Sequence, residues 1–176
     1  MWCKEIKNFL KQDDKDFIEK VILNYNFPFY HQPSSVLGDN NTGLNHIILR
    51  RPEERQEGEN YNSDFYPEIT RMIRRALKKA KINLSKFLRI GINYTYNNGQ
   101  EKCPAHLDHE NIKHKQIIIY LNDCLDKKSK TVLLSGKKIF KSITPEKYKA
   151  AIFDDCYHYH YYPTKGFRLV IVCTFC

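Results

Sequence analysis

The chain has 176 residues, a formal net charge of +9 and a hydrophobic share of 41%. This length predicts one domain with a single core, and the 12 tyrosines and 10 phenylalanines argue against a disordered chain. No stretch approaches the ~20 apolar residues of a membrane helix, so no contact with the membrane interior is expected.

The positive charge has two interpretations. Lysines are spread through most of the chain, which favours a solvated basic surface, and an anionic partner such as nucleic acid is the alternative. The first residues contain no apolar run typical of a signal peptide. We therefore expect the six cysteines to be reduced thiols and the protein to be cytoplasmic, in the cell or in an infected host.

Residues 1–86 are predicted to form helices and loops. Roughly the first 25 residues have a helical pattern, with Asp13 and Asp14 as candidate caps. Beyond them we expect a loop, a short strand and a second, polar loop, over 28–44, 45–50 and 51–63. The stretch 30–63 is expected either to shape substrate access or to consist of plain exposed connections.

The clearest helical pattern lies over residues 64–82. Its apolar positions fall on one face, at Ile69, Ile73, Ala76, Leu77 and Ala80. The other positions are basic and include Arg71, Arg74 and Arg75. This pattern predicts a helix that packs on a sheet and exposes a solvated basic face, with a nucleic-acid footprint as the alternative.

From Phe87 onward the apolar period changes to two, which is typical of strands. Short strands separated by polar turns are predicted over 88–96, 104–108, 115–122, 131–135, 138–141, 150–154, 157–162 and 167–175. Their even spacing predicts a β-sandwich or jelly roll in the second half of the chain.

A pair of metal-binding residue types lies at the start of this half. His106 and Asp108 are two residues apart, so on an extended strand both side chains leave the same face. An imidazole and a carboxylate are two thirds of a 2-His-1-carboxylate triad, which suits Fe(II) with open coordination positions. His158 and His160 alternate in the same way further on, and either can complete the triad.

Arg168 opens an apolar strand whose same-face neighbours are Val170 and Val172. A guanidinium at such a position needs an anionic partner, because an unpaired buried charge is costly. Its planar fork suits a carboxylate, and a dicarboxylate that binds iron at its other end would supply one.

Taken together, these residues resemble the Fe(II)- and 2-oxoglutarate-dependent dioxygenases over roughly residues 87–175. The resemblance is to the prolyl 4-hydroxylase-like branch, including its short viral members. It extends to Tyr96, ten residues before His106, and to Tyr120 in a Tyr-Leu-Asn sequence. By resemblance, Tyr96, Tyr120 and Arg168 would converge on the far carboxylate of 2-oxoglutarate.

The family's spacing also bears on the distal ligand. A His nine to eleven residues before the basic anchor is usual there, which favours His158 with His106 and Asp108 and leaves His160 as the alternative. Two departures stand out: collagen-type enzymes carry Lys where Arg168 stands, and alkylation-damage demethylases carry a second Arg where Thr174 stands. His109 and His114 are expected to be ordinary exposed histidines.

The resemblance implies a single oxygenase domain over 1–176, with a double-stranded β-helix (cupin-like jelly-roll) core over 87–176 packed by N-terminal helices. It implies Fe(II), 2-oxoglutarate and O2 as cofactors, with ascorbate as a stimulant, and hydroxylation of a protein side chain with release of succinate and CO2. The alternatives are a nucleic-acid-directed oxygenase or demethylase, a non-catalytic jelly-roll module that binds nucleic acid, and a structural zinc site.

Overall fold

A computed structural model describes residues 1–34, 42–57, 61–124, 126 and 128–176 of the chain. Within these ranges, two antiparallel sheets dominate. The main sheet runs, in spatial order, through β1 (Cys3–Ile6), β8 (Ala150–Asp154), β5 (Lys115–Tyr120), β10 (Phe167–Phe175), β4 (Phe87–Tyr96), β3 (Gly43–Leu49) and β2 (Tyr30–Gln32). The small sheet runs through β7 (Lys138–Ile143), β6 (Thr131–Ser135) and β9 (His158–His160). The prediction of a mainly β fold is confirmed.

Two helical segments accompany the sheets. Helix α1 (Gln12–Phe17) continues into a π-helical turn over Ile18–Ile22, and α2 spans Tyr66–Ala80. The α2 helix confirms the sequence prediction: its apolar face is buried, and it ends where Lys81 takes a left-handed conformation. A short 3-10 turn covers Pro52–Glu54. No helix in the described ranges has the length and apolar character needed to cross a bilayer.

The central strand β10 is buried on both faces. Leu169, Ile171 and Cys173 belong to the larger core, which includes the buried face of α2. Val170 and Val172 point the other way and belong to a second core that includes Leu133 of β6 in the small sheet. Because side chains alternate along a strand, Arg168 shares this inner face with Val170 and Val172. The inner space between the sheets is therefore where polar residues of β10 meet the small sheet.

The first residues differ from the sequence prediction. Cys3–Ile6 forms a strand that pairs with β8, although a helical pattern was predicted there. β2 likewise lies inside a predicted loop and pairs with β3. Both strands are short and mostly exposed, so their pairing is decided by a distant partner and local periodicity carries no signal for it. The main sheet consequently recruits three strands from residues 1–86. Residues 35–41 and 58–60 of the predicted loops lie outside the described ranges.

Candidate metal and anion site

Three of the predicted residues lie together at one end of the inner space. One ligand atom each from His106, Asp108 and His158 falls within 4.8 Å of the other two. The two histidines are held opposite each other by reciprocal backbone hydrogen bonds, each with an N···O distance of 3.0 Å. The segment 104–108 is not the regular strand that was predicted. It makes an isolated bridge to β9 instead, and Pro104 has no N–H to donate to a ladder.

Backbone carbonyl oxygens orient the imidazole rings of His106 and His158. His106 Nδ1 lies 3.0 Å from the carbonyl oxygen of Pro104, and His158 Nδ1 lies 3.0 Å from that of Cys156. A carbonyl only accepts, so in the neutral ring Nδ1 carries the proton and Nε2 keeps its lone pair. Burial lowers the pKa of His158, which favours this neutral, metal-binding form.

Asp108 is surrounded by donors that sequence reasoning missed. Its Oδ1 lies 3.5 Å from Arg89 Nη1 and 3.8 Å from Arg51 Nη2, and its Oδ2 accepts a hydrogen bond from the Gln116 amide. Burial by itself raises the pKa of Asp108. The positive charges around it, from His158 when protonated and then from Arg89, outweigh burial and hold the pKa at about 2. The carboxylate is therefore ionised at neutral pH and ready to bind a cation.

The position of Arg89 could have been predicted from the alternation of residues along its strand. Arg89 alternates with the apolar residues Leu88 and Ile90 in a strand that was correctly predicted, so it had to face the inner side of the sheet. Gln116 occupies the corresponding inner position on β5, opposite Thr174 of β10. Arg51 lies in a predicted polar loop, where no pattern indicates its contact with Asp108.

His160 lies outside the three-residue group. Its Nδ1 is 3.2 Å from the thiol of Cys103, and its ring centroid is 5.1 Å from that of Tyr162. In the small sheet His160 pairs with Thr131 of β6, whereas His158 pairs with Leu133 and also bridges to His106. His160 therefore lies two residues further along β9 from His106. Of the two alternatives for the distal ligand, His158 is the one that the fold brings to His106 and Asp108.

The guanidinium of Arg168 is buried without an acidic partner in the described part of the chain. Its side chain lies on the inner face, 3% of the residue is exposed, and Nη2 donates to Thr131 Oγ1 at 2.9 Å. Thr131 Oγ1 is also 3.0 Å from the hydroxyl of Tyr120, whose ring centroid is 5.4 Å from the guanidinium carbon. Arg168 Nε has no hydrogen-bond partner among the described residues. A buried cation with a spare donor fits an anionic ligand group.

Tyr96 does not join this group. In the β4–β10 register, Thr95 lies opposite Arg168 and Tyr96 lies opposite Phe167. Tyr96 therefore faces the helix side of the sheet, where its ring is 6.3 Å from that of Tyr94. Tyr96 was predicted to converge with Arg168, but the two side chains lie on opposite faces of the sheet, because neighbouring positions of a strand face opposite ways and Thr95 is the residue opposite Arg168.

An asparagine takes the inner side of β4 instead. Asn93 lies opposite Val170 on the inner face, and its Oδ1 is buried with no partner among the described residues. An orphaned buried acceptor is unusual in a folded protein and is commonly found where a ligand or ion binds. The sequence prediction did not include Asn93, although the alternation along the strand assigns it this face.

The two other histidines near the site are also placed differently from the prediction. His109 and His114 were expected to be exposed, but both are buried, with ring centroids 4.9 Å apart in an edge-to-face arrangement. His109 Nε2 lies 2.8 Å from Thr174 Oγ1. They support the chain segment that follows Asp108 and are not members of the ligand group.

Three arginines of the basic face of α2 contact other parts of the protein. Arg71 and Arg75 form ion pairs with Asp13 and Asp14 near α1, with distances of 3.1 Å for Arg71–Asp14 and Arg75–Asp13. Arg74 lies over the ring of Phe87 at 5.1 Å. These contacts favour the predicted packing role of the helix over its alternative, a nucleic-acid footprint.

The donor set fits the group that the sequence implies. Two imidazoles and one ionised carboxylate suit Fe(II) and leave coordination positions for other ligands. The spare donor of Arg168 and the orphaned Oδ1 of Asn93 lie on the same inner face. The inner space therefore offers a cation site and a separate place for an anionic group.

Solved structures share this fold. No family model matches the sequence, and no curated protein matches it significantly. A 2OG-Fe(II) oxygenase family oxidoreductase from Burkholderia pseudomallei is 12% identical with a TM-score of 0.70, covering 98% of this chain and 84% of its own. The collagen prolyl hydroxylase of Paramecium bursaria Chlorella virus-1, solved with 2OG, is 16% identical with a TM-score of 0.61, covering 99% and 95%.

A third similar structure carries a peptide. The prolyl hydroxylase of Trichoplax adhaerens, in complex with a hypoxia-inducible-factor peptide fragment, is 15% identical with a TM-score of 0.65, covering 98% of this chain and 82% of its own. At these identities the likeness concerns the fold. The chain therefore has the jelly-roll fold of the 2OG-Fe(II) oxygenases and prolyl hydroxylases, with a His-Asp-His group inside it.

Proposed function

We propose that the protein is an Fe(II)- and 2-oxoglutarate-dependent dioxygenase. The observation that carries this proposal is the buried Arg168, which has no acidic partner in the described part of the chain and shares an inner space with the His106–Asp108–His158 group. A cation-binding triad alone fits many metal sites. The addition of an unsatisfied guanidinium specifies a co-substrate with a carboxylate at the end away from the metal.

Each residue has a defined part in this proposal. His106, Asp108 and His158 would hold Fe(II) and leave one side of the ion open. Arg168 would bind the far carboxylate of 2-oxoglutarate, with the hydroxyls of Thr131 and Tyr120 beside it. When bound, iron and 2-oxoglutarate together supply the O2 activation that inserts oxygen into a C–H bond and yields succinate and CO2.

The protein environment keeps these groups in the required ionisation states. The carbonyl oxygens of Pro104 and Cys156 hold the protons of His106 and His158 on Nδ1, away from the metal side. Arg89 and Gln116 hold the Asp108 carboxylate in place and keep it charged. Ile118, Val170 and Val172 are buried in one apolar cluster with Tyr120. This cluster would keep the surroundings of the bound groups apolar.

A protein side chain, with proline as the first candidate, is the proposed substrate. Support comes from two similar structures, a collagen prolyl hydroxylase and a prolyl hydroxylase that carries a peptide fragment. The six cysteines, all free, agree with action on proteins in a reducing compartment such as the cytoplasm. We keep nucleic acid as the alternative substrate, to be tested side by side.

The test is turnover of purified protein with Fe(II), 2-oxoglutarate, O2 and ascorbate. We expect succinate and CO2, and the addition of one oxygen atom to a proline-rich peptide but not to an oligonucleotide. Asp108→Ala should abolish turnover, whereas His31→Ala, a change at an exposed histidine, should retain it. Absence of succinate with every substrate class would refute the proposed reaction, and oxygen addition only to the oligonucleotide would refute the proposed substrate.

A further inference from the structure

A second pocket lies outside the proposed iron site. It has a volume of about 680 Å³, which is within the range of small-molecule sites. Its walls come from the end of the sandwich where β4 stops and β6 starts, and include Asn97, Glu101, Lys130 and Tyr161. The metal-binding group, Tyr120 and Arg168 do not line it.

Hydrogen bonds join the segments that form the pocket wall. Asp126 accepts hydrogen bonds from the backbone N–H of Lys128 at 2.9 Å and from the backbone N–H and hydroxyl of Thr164, both at 2.8 Å. Ser129 Oγ donates to the carbonyl of Tyr161 at 2.8 Å, and the N–H of Tyr161 donates to the carbonyl of Lys130 at 3.0 Å. These bonds tie both sides of the wall together, so little ordering is required when a ligand binds.

Two lysines contribute positive charge to this wall. Lys128 and Lys130 line the pocket, and neither ammonium group has a carboxylate within 4.0 Å among the described residues. The Asp126 carboxylate accepts the three bonds described above, and its pKa is lowered first by the backbone hydrogen bond from Thr164 and last by the charge of Lys128. Its negative charge therefore offsets part of that of Lys128 and leaves Lys130 as the second cation. Glu101 is the one carboxylate among the residues that line the pocket. Two cations beside a partly enclosed space concentrate positive potential there.

The remaining lining is suited to an organic molecule. Tyr161 and Tyr162 provide ring surface, and Asn97, Gln100 and Thr144 provide amide and hydroxyl groups. We propose that this pocket is a second anion site, which binds a small organic molecule with a carboxylate or phosphate group beside an apolar body. The anionic group lies between Lys128 and Lys130, and the apolar body packs on the ring of Tyr161.

The test uses calorimetric titration of the metal-free protein with citrate and with inorganic phosphate, at low ionic strength because salt screens such contacts. We expect the combined change Lys128→Gln and Lys130→Gln to weaken binding about tenfold, and Glu101→Gln to strengthen it about threefold. Lys165→Gln, at an exposed lysine outside the lining, should leave the affinity unchanged. Thermal melting of each variant checks that the fold is intact.

The two probes distinguish the source of the anion. Tighter binding of citrate indicates a carboxylate ligand, and tighter binding of phosphate indicates a phosphate ligand. No binding of either probe at about 10 mM would overturn the proposal, since a site with a Kd near 1 mM is then mostly occupied. Binding that survives both lysine changes and is lost in Arg168→Lys would also overturn it, because the anion would then occupy the Arg168 site.

Discussion

At the scale of single residues, distance distinguishes the two candidates for the distal ligand. His158 and His160 lie on the same face of β9, yet only His158 has its ring beside His106, with centroids 4.5 Å apart. The ring of His160 is next to Cys103 and Tyr162. Two positions along one strand therefore separate the candidate metal ligand His158 from His160, which packs against other side chains.

We expect His158→Ala to abolish binding of Mn(II), used as a stand-in for Fe(II), because it removes one of three ligands. His160→Ala should change the affinity by about tenfold at most, which is the size of effects from residues around a ligand set. Equilibrium binding followed by electron paramagnetic resonance measures both. Retained metal in His158→Ala together with lost metal in His160→Ala would reverse the assignment.

The proposed role of Arg168 can be tested with two substitutions on the same sheet, one at Arg168 and one at Tyr96. Arg168→Met should weaken binding of 2-oxoglutarate to the Mn(II) form by about 2–5 kcal/mol, because it removes a buried charge partner. Tyr96→Phe should have no effect, since Tyr96 faces the helix side of the sheet. Calorimetry gives both affinities. An effect of Tyr96→Phe equal to that of Arg168→Met would contradict the assignment of faces.

At the scale of elements, an ion-pair cluster joins the two helices. Asp14 is fully buried at the start of α1, where it caps the backbone N–H of Lys11 and pairs with Arg71 and Arg75 of α2. The predicted cap is displaced: the helix begins at Gln12 with Lys11 as its N-cap, and Asp14 lies in the first turn, where its side chain accepts a hydrogen bond from the backbone N–H of that N-cap. A buried carboxylate with two guanidinium partners fixes how the helices dock.

Replacing this carboxylate should loosen the helix pair. We expect Asp14→Asn to lower the free energy of unfolding by about 3 kcal/mol, because two arginines lose a buried partner. Asp16→Asn, which removes an exposed pair with Lys20, is the control and should leave the unfolding midpoint unchanged. Urea denaturation measures both. Equal midpoints for the two variants would show that the Asp14 cluster has no stabilising role.

At the scale of the whole molecule, buried histidines make the metal-free fold sensitive to acid. Burial lowers the pKa of both His158 and His109 below the ordinary value of 6.5. The unfolded chain then binds more protons than the folded one as the pH falls below 6.5, so folding loses free energy there. Asp108, with a pKa of about 2 against 3.8, adds a loss only at much lower pH.

We therefore expect the melting temperature of the metal-free protein to be constant above about pH 7 and to fall between about pH 6.5 and pH 5. His109→Gln should reduce the slope of this fall, since it removes one of the two histidines whose pKa is lowered by burial and keeps a polar partner for Thr174. Scanning calorimetry across the pH range gives the slopes. A melting temperature that stays level down to pH 5 would contradict this linkage.

The features that depend on local sequence pattern could be predicted from the sequence. The alternation of β10 and β4 predicted strands, and the spacing of His106, Asp108 and Arg168 predicted a metal group with an anion anchor. The period of α2 predicted its buried face. These features depend on neighbours a few positions apart, which a single sequence displays directly.

Tertiary structure decided what depends on pairing between distant segments. The register of β4 against β10 assigns Tyr96 to one face and Asn93 to the other, and a shift of one residue would exchange them. The placement of Arg51 beside Asp108 and the pairing of Cys3–Ile6 with β8 join segments far apart in the chain. The sequence by itself thus determined the kinds of groups that are proposed to bind metal and anion. The tertiary structure determined which of the candidate residues lie together, because contact requires strand register as well as residue type.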